Sequence, residues 1–114
     1  MDLISAVVGV LNLSSDLEYL ELQFDGSPIR DAHVIDLSAA VQASGSLSTL
    51  EFSCDENAVA DRALASFAAA LRHQRCSLQR FYLICRTCEI SNAGAQDLAS
   101  ALAVNQSLLM FGFF

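Results

Sequence analysis

The segment LQRFYL, residues 78–83, recurs along the chain and decides its fold. Its first, fourth and sixth positions are apolar, and equivalent segments begin at Leu17, Leu47 and Leu108. The four starting points lie 30, 31 and 30 residues apart. Apolar residues at alternate positions are typical of a β-strand with one buried face. The sequence therefore predicts four strands at a regular interval.

Between the predicted strands, the apolar spacing changes to that of a helix. Counted from the first Leu of each segment, apolar residues recur at offsets 17, 20, 23 and 24, on one side of an α-helix. The same stripe, moved back by one interval, predicts a first helix over residues 2–13. Asp31, Asp61 and Asn92 stand near helix starts, where we expect their side chains to cap free N–H groups. The stripe positions are Ile4, Val7, Val10 and Leu11; Val34, Leu37, Ala40 and Val41; Leu64, Phe67, Ala70 and Leu71; and Ala95, Leu98, Ala101 and Leu102.

These strand–helix units predict an α/β solenoid, with parallel strands on the concave face and helices on the convex face. One such unit cannot bury its own apolar side, so like units stack. We expect a single domain or fragment over residues 1–114, with about three and a half repeats. A terminal repeat normally has a polar outer face, so the apolar end LLMFGFF favours a fragment of a longer array. The boundaries are a partial repeat 1–16, repeats 17–46, 47–77 and 78–107, and a final strand 108–114.

The segment ISNAGAQDLASALAVNQSL, residues 90–108, resembles the repeats of NOD-like receptors and of Ran GTPase-activating proteins. The chain as a whole resembles leucine-rich-repeat proteins of the ribonuclease-inhibitor type. This resemblance implies a ladder of Asn or Cys side chains that hydrogen-bond the backbone at the bend after each strand, each followed two positions later by an apolar residue. The interval from strand to ladder is two residues longer here than in the family pattern. The ladder pairs are Ser27 with Ile29, Asn57 with Val59, and Cys88 with Ile90.

Composition and charge exclude several classes of protein. Of the 114 residues, 54% are hydrophobic and 17% are charged, which is unlike a disordered chain. The net charge of −7 argues against nucleic acid as a partner. No apolar run approaches the roughly 20 residues of a membrane helix, so we expect no membrane partner. Asp2 occupies a position where a secretion signal carries positive charge, which favours a cytoplasmic protein.

The cysteines and histidines are the residues best suited to chemistry. Cys85 and Cys88 form a single CxxC, which alone is a weak signal for zinc or redox chemistry because no second pair at zinc spacing follows it. We expect reduced thiols, and neither a metal nor another cofactor. No convergent set of acids and bases surrounds His33 or His73, so we predict that the protein is not an enzyme.

The concave face is the remaining candidate for function, because Tyr and Arg are favoured anchors in binding interfaces. We predict a non-catalytic scaffold that binds a protein partner of unknown identity on this face. Two alternatives stay open: regulation of a small GTPase, which the resemblance to Ran regulators implies, and self-association through the 108–114 strand. The predicted partner-binding residues are Tyr19, Glu21, Gln23, Thr49, Glu51, Ser53, Arg80, Tyr82, Ile84 and Met110, with Gly112 and Phe114 following on the same face.

Overall fold

Helices and strands alternate regularly through the part of the chain that the structure describes. The structure is a computed structural model, and it describes residues 3–26 and 28–114. Four helices and four strands lie within these ranges, which confirms the predicted alternation. The elements are α1 (Leu3–Leu13), β1 (Tyr19–Gln23), α2 (Asp31–Ala43), β2 (Thr49–Ser53), α3 (Asp61–Arg72), β3 (Arg80–Ile84), α4 (Asn92–Val104) and β4 (Met110–Phe113).

The strands form one parallel sheet in the order β1-β2-β3-β4. Its register places Leu20 beside Leu50, Leu50 beside Phe81, and Phe81 beside Phe111. These four residues hold the same position in their repeats, so the predicted alignment of the repeats is confirmed. Leu50 and Phe81 are fully buried, whereas Leu20 and Phe111, on the outer strands, are half-buried.

The helices pack side by side and cover one face of the sheet. The predicted stripe of α3 is buried throughout, but Val10 on α1 is 56% exposed. Ala101, at the equivalent position of α4, is buried, and the described helix that packs against α4 is α3. This position of the stripe therefore faces the preceding helix. Val10 is exposed because the described residues contain no helix before α1.

Aromatic rings run through the centre of the core. Phe67 of α3 inserts between the sheet residues Phe52 and Phe81. Its ring centroid lies 5.8 Å from that of Phe52 and 5.1 Å from that of Phe81. Phe24 and Phe111 extend the row at 6.0 Å from Phe52 and 5.8 Å from Phe81. Aromatic pairs at these separations add packing energy beyond the area that they bury. The row ties α3 to both central strands.

The bends after β1, β2 and β3 share a backbone feature. Each contains one residue with a left-handed backbone at the same repeat position: Gly26 (φ 69°), Glu56 (φ 59°) and Thr87 (φ 59°). Consecutive bends are joined by backbone hydrogen bonds, from Gly26 N–H to Asp55 O at 2.9 Å and from Glu56 N–H to Arg86 O at 3.1 Å. The bends thus stack on one another from repeat to repeat.

The predicted ladder is present at Asn57 and Cys88, and Ser27 lies outside the described residues. The Asn57 amide donates to the carbonyls of Phe24 at 2.7 Å and Cys54 at 3.1 Å, and its Oδ1 accepts from Ile29 N–H at 3.1 Å. The Cys88 thiol lies 3.1 Å from the Cys54 carbonyl, one repeat back. These side chains satisfy buried backbone groups that the bend leaves without strand partners.

Contrary to the prediction, the aspartates at the helix starts bond the following repeat instead of capping their own helix. Asp31 and Asp61 are the first residues of α2 and α3, and their Oδ1 atoms accept from the N–H groups of Ala60 at 2.7 Å and Ser91 at 2.8 Å. Ala60 and Ser91 precede the next helix, so each carboxylate bonds the following repeat. Asn92 is likewise the first residue of α4, and the cap of that helix is Ser91, which accepts from Ala93 N–H at 3.2 Å.

Candidate interaction surface on the sheet

All of the predicted partner-binding residues lie on the sheet face opposite the core, which we call the open face. Successive side chains of a strand alternate between faces, so the neighbours of buried Leu50 and Phe52 point away from the helices. The parallel register arranges them in three rows. The rows are Tyr19, Thr49, Arg80 and Met110; Glu21, Glu51, Tyr82 and Gly112; and Gln23, Ser53 and Ile84.

The open face is recessed along β2. Thr49 and Ser53 are 8% and 6% exposed, whereas Tyr19 and Met110 at the two sides are each 52% exposed. Ser53 is further engaged by Asp25, whose Oδ1 accepts from the Ser53 hydroxyl at 2.5 Å and from the Asp55 N–H at 3.0 Å. Thr49 and Ser53 therefore offer little surface to a partner, and the contact area lies on their neighbours.

A pair of carboxylates occupies one side of this recess. Glu21 and Glu51 are register partners on β1 and β2. The Tyr19 hydroxyl lies 3.1 Å from Glu21 Oε1 and 3.0 Å from Glu51 Oε2, and the Gln23 amide donates to Glu21 Oε2 at 3.0 Å. The hydrogen bond to Glu51, together with the neighbouring carboxylates, raises the pKa of Tyr19 to about 12. This corner of the open face is strongly acidic.

Aromatic and aliphatic side chains form the other side of the recess. A Cβ on Gly112 would lie 2.9 Å from Phe114 Cε2 and 3.0 Å from Tyr82 Cδ1, so the absence of a side chain there lets both rings approach β4. The Tyr82 hydroxyl contacts the Met110 sulfur at 3.6 Å. The recess has a volume of about 240 Å³, and its lining includes Glu21, Glu51, Tyr82, Ile84 and Phe114. Carboxylates thus face an aromatic wall across a small depression.

Two of the four cysteines, Cys54 and Cys85, are buried. Burial raises the pKa of the Cys54 thiol well above its usual range, and burial raises the pKa of Cys85 to about 12. A thiol with a raised pKa is a poor nucleophile at neutral pH. All four cysteines are free thiols. Within residues 3–26 and 28–114, no group of three or more His, Cys, Asp or Glu side chains is placed to hold a metal ion.

The histidines lie in separate repeats and serve local backbone groups. His33 Nδ1 accepts from Arg30 N–H at 3.1 Å, and His73 Nδ1 accepts from Arg75 N–H at 3.2 Å. His73 also borders a larger cleft of about 580 Å³ at the ends of α3 and α4, which sequence reasoning missed. Arg72 in its wall forms an ion pair with Asp97 at 2.9 Å. The ion pair joins residues 25 positions apart, so no local sequence motif predicts it.

None of the helices in the described ranges is long and apolar enough to cross a membrane.

The chain is similar in sequence to proteins that contain NACHT, leucine-rich-repeat and PYD domains. It is 39% identical over 87 residues to bovine NACHT, LRR and PYD domains-containing protein 5, and 36% identical over 87 residues to the human protein of that name. It is 34% identical over 79 residues to the mouse NACHT, LRR and PYD domains-containing protein 12. No family profile matches the chain. The sequence is thus related to NOD-like receptors with leucine-rich repeats.

The matched regions cover most of this chain and a small part of each relative. They include 76% of this chain in the bovine and human comparisons and 69% in the mouse comparison. They span 8% of the bovine relative and 7% of each of the other two. The similarity therefore concerns one region of much longer proteins.

Solved structures share the α/β fold. Leiomodin-1 actin-binding site 2 superimposes with a TM-score of 0.80 at 14% identity, covering 97% of this chain and 61% of that one. The tropomodulin C-terminal domain of Caenorhabditis elegans superimposes with a TM-score of 0.67 at 16% identity, covering 99% of this chain and 83% of that one. At these identities the likeness shows a common fold.

Proposed function

We propose that the chain is a non-catalytic protein-interaction module that binds a protein partner through the open face. In this proposal it is a leucine-rich-repeat solenoid of the ribonuclease-inhibitor type, and the open face is the concave side. The repeats of its NOD-like-receptor relatives and the regular 30-residue register support the architecture. The free thiols suit a reducing compartment such as the cytoplasm.

The observation that carries the proposal is the composition of the open face. One face of the sheet is buried under the helices, while the other presents Tyr19, Arg80, Tyr82 and Met110 around a recess. Tyr and Arg are enriched among interface hot spots, and Met is enriched in interfaces generally. The parallel sheet holds the backbone positions of these residues in fixed rows, so little backbone ordering is required when a partner binds.

The non-catalytic part of the proposal is supported by the chemistry of the ionisable groups. The thiols of Cys54 and Cys85 are held protonated by burial, and the two imidazoles accept from backbone N–H groups in different repeats. A thiol held protonated in this way is a poor nucleophile at neutral pH.

The test is selection of a binding partner from a displayed library of cellular proteins, followed by affinity measurement with variants of this chain. Tyr82→Ala and Glu51→Arg should each lower the affinity for the selected partner by at least about tenfold, as expected for interface anchors. Asp36→Arg, on an exposed site of α2, is the matched control and should leave affinity unchanged. Retained binding by both open-face variants, with loss in the control, would place the interface elsewhere and overturn the proposal.

Self-association is a second candidate, favoured by the exposed apolar side chains at β4. Leu109, Met110 and Phe114 are 71%, 52% and 62% exposed. Exposed apolar residues beside a strand edge promote pairing between chains. Light scattering across a concentration series tests this candidate: a mass of 12.2 kDa at every concentration excludes it, and a Leu109→Glu variant should restore that mass if the chain associates.

A further inference from the structure

We infer that the recess on the open face accepts an arginine side chain of the partner, next to an apolar residue. This inference rests on the proposed function and specifies the chemistry of the partner. It follows from the unequal walls of the recess, with two carboxylates on one side and two aromatic rings on the other.

The first step concerns charge. Glu21 and Glu51 stand directly opposite each other on adjacent strands, an arrangement of like charges that destabilises a sheet. Their hydrogen-bond partners, the Tyr19 hydroxyl and the Gln23 amide, are both neutral. A cation that binds between the two carboxylates therefore relieves their repulsion and stabilises the sheet.

The chain does not supply that cation from its described residues. Ion pairs within them join Arg72 to Asp97 and Arg86 to Asp55, and none reaches Glu21 or Glu51. Arg80 stands on the same face, diagonal to Glu51, yet its side chain forms no ion pair with it. The acidic corner is therefore charge-complementary to a group that a partner brings.

The second step concerns shape and the aromatic wall. The volume of about 240 Å³ is below the ~300–1,000 Å³ typical of small-molecule pockets and suits a single long side chain. Tyr82 and Phe114 border the recess across from the carboxylates, at the site opened by Gly112. A guanidinium can bond two carboxylates through its planar fork and stack on an aromatic ring at the same time, whereas an ammonium is a compact point charge with neither a planar face nor a fixed fork. Ile84 and the exposed face of Phe114 leave apolar surface for the residue beside the arginine.

The test uses three synthetic peptides and NMR spectra of the ¹⁵N-labelled 114-residue chain. The first is acetyl-Gly-Phe-Arg-Leu-Gly-amide, the second replaces its arginine with the neutral isostere citrulline, and the third replaces it with glutamate. The arginine peptide should shift the backbone amides of Glu21, Glu51 and Tyr82. The citrulline peptide should bind at least about tenfold more weakly, and the glutamate peptide should not bind. Added salt should weaken binding of the arginine peptide.

Variants locate the effect and separate it from the proposed function. Glu21→Gln and Glu51→Gln keep the side-chain shape, and each should lower affinity for the arginine peptide several-fold, while Asp36→Asn should not. Equal binding of the arginine and citrulline peptides on the open face would overturn this inference and leave the proposed function standing. An arginine peptide that shifts no amide of the open face would also overturn it. The library selection described above tests the proposed function independently of either result.

Discussion

The carboxylate of Asp61 accepts hydrogen bonds from both the backbone N–H and the hydroxyl of Ser91, thirty residues further along the chain. The hydrogen bond from the Ser91 N–H to Asp61 Oδ1 is 2.8 Å long. Ser91 in turn caps α4, so the first residue of one helix holds the start of the next. Asp31 makes the corresponding bond to Ala60 one repeat earlier. Hydrogen bonds between repeats thus supplement the apolar contacts that stack them.

Removal of the Asp61 charge should destabilise the protein in a pH-dependent manner. The hydrogen bonds from Ser91 lower the pKa of Asp61 below its ordinary value of 3.8. Because the pKa is lower in the folded state, the stabilisation is present above about pH 4 and is lost as the pH falls through the folded value. Asp61→Asn should therefore lower Tm by several degrees at pH 7, and the difference from the unsubstituted protein should close toward pH 2.5 in thermal unfolding curves. Asp36→Asn is the control, and an equal loss in both variants would contradict this role of Asp61.

Gly94→Ala should destabilise the protein although it places a better helix former in α4. Alanine normally stabilises a helix interior by about 1 kcal/mol over glycine. At Gly94, however, the new Cβ would lie within 3.0 Å of the Asp61 Cγ and clash with the carboxylate. Unfolding in urea should therefore show a lower midpoint for Gly94→Ala.

Two further variants separate the clash from helix propensity. At Gly9, inside α1, an added Cβ meets no atom within 4 Å, so Gly9→Ala should raise the midpoint. In an Asp61→Gly background the obstructing carboxylate is gone and only the backbone Cα of residue 61, 3.3 Å from the added Cβ, remains close, so Gly94→Ala should cost less than in the parent protein. A Gly94→Ala variant that is more stable than the parent protein would show that Asp61 moves aside freely.

The order and register of the strands could be predicted from the sequence because they depend on local apolar spacing. Each repeat carries alternating apolar residues, and a shift of one residue would expose them all. Leu20, Leu50, Phe81 and Phe111 consequently align as predicted. The targets of Asp31 and Asp61 could not be obtained in this way, because their partners lie in the following repeat and propensity rules describe contacts within one helix.

The candidate site was predictable as a face but not as a shape. Alternation along each strand identified which residues point outward. It could not show that Thr49 and Ser53 are buried by flanking side chains, since that depends on the side-chain conformations of three strands together. Nor could it show that Gly112 lets the Tyr82 and Phe114 rings approach, which depends on contacts between residues that are remote along the chain.

Asn57→Ala should be among the most destabilising polar substitutions in the chain. Asn57 is 8% exposed, and its loss would leave the Phe24 carbonyl and the Ile29 N–H without their side-chain partner. An unsatisfied buried polar group costs roughly 1–3 kcal/mol, so we expect a loss of about 2–4 kcal/mol in the free energy of unfolding from urea titrations. Asn92→Ala, at an exposed site, should cost far less. Equal costs for the two variants would show that the bend does not depend on the Asn57 amide.

The Tyr19 hydroxyl reports directly on the acidic corner of the open face. Its hydrogen bond to Glu51 raises its pKa to about 12, because ionisation would place a third negative charge beside Glu21 and Glu51. Tyr19 and Tyr82 are the two tyrosines of the sequence, so a Tyr82→Phe background isolates the Tyr19 titration in ultraviolet absorbance at high pH. In that background Glu51→Gln should lower the Tyr19 pKa toward the ordinary value of 10.0, and circular dichroism should verify that both proteins remain folded over the range. The arginine peptide should lower it as well, since a bound cation offsets the charge of the carboxylates. A Tyr19 pKa near 10.0 with Glu51 intact would mean that the two carboxylates do not act on this hydroxyl and that the recess is less acidic than its geometry implies.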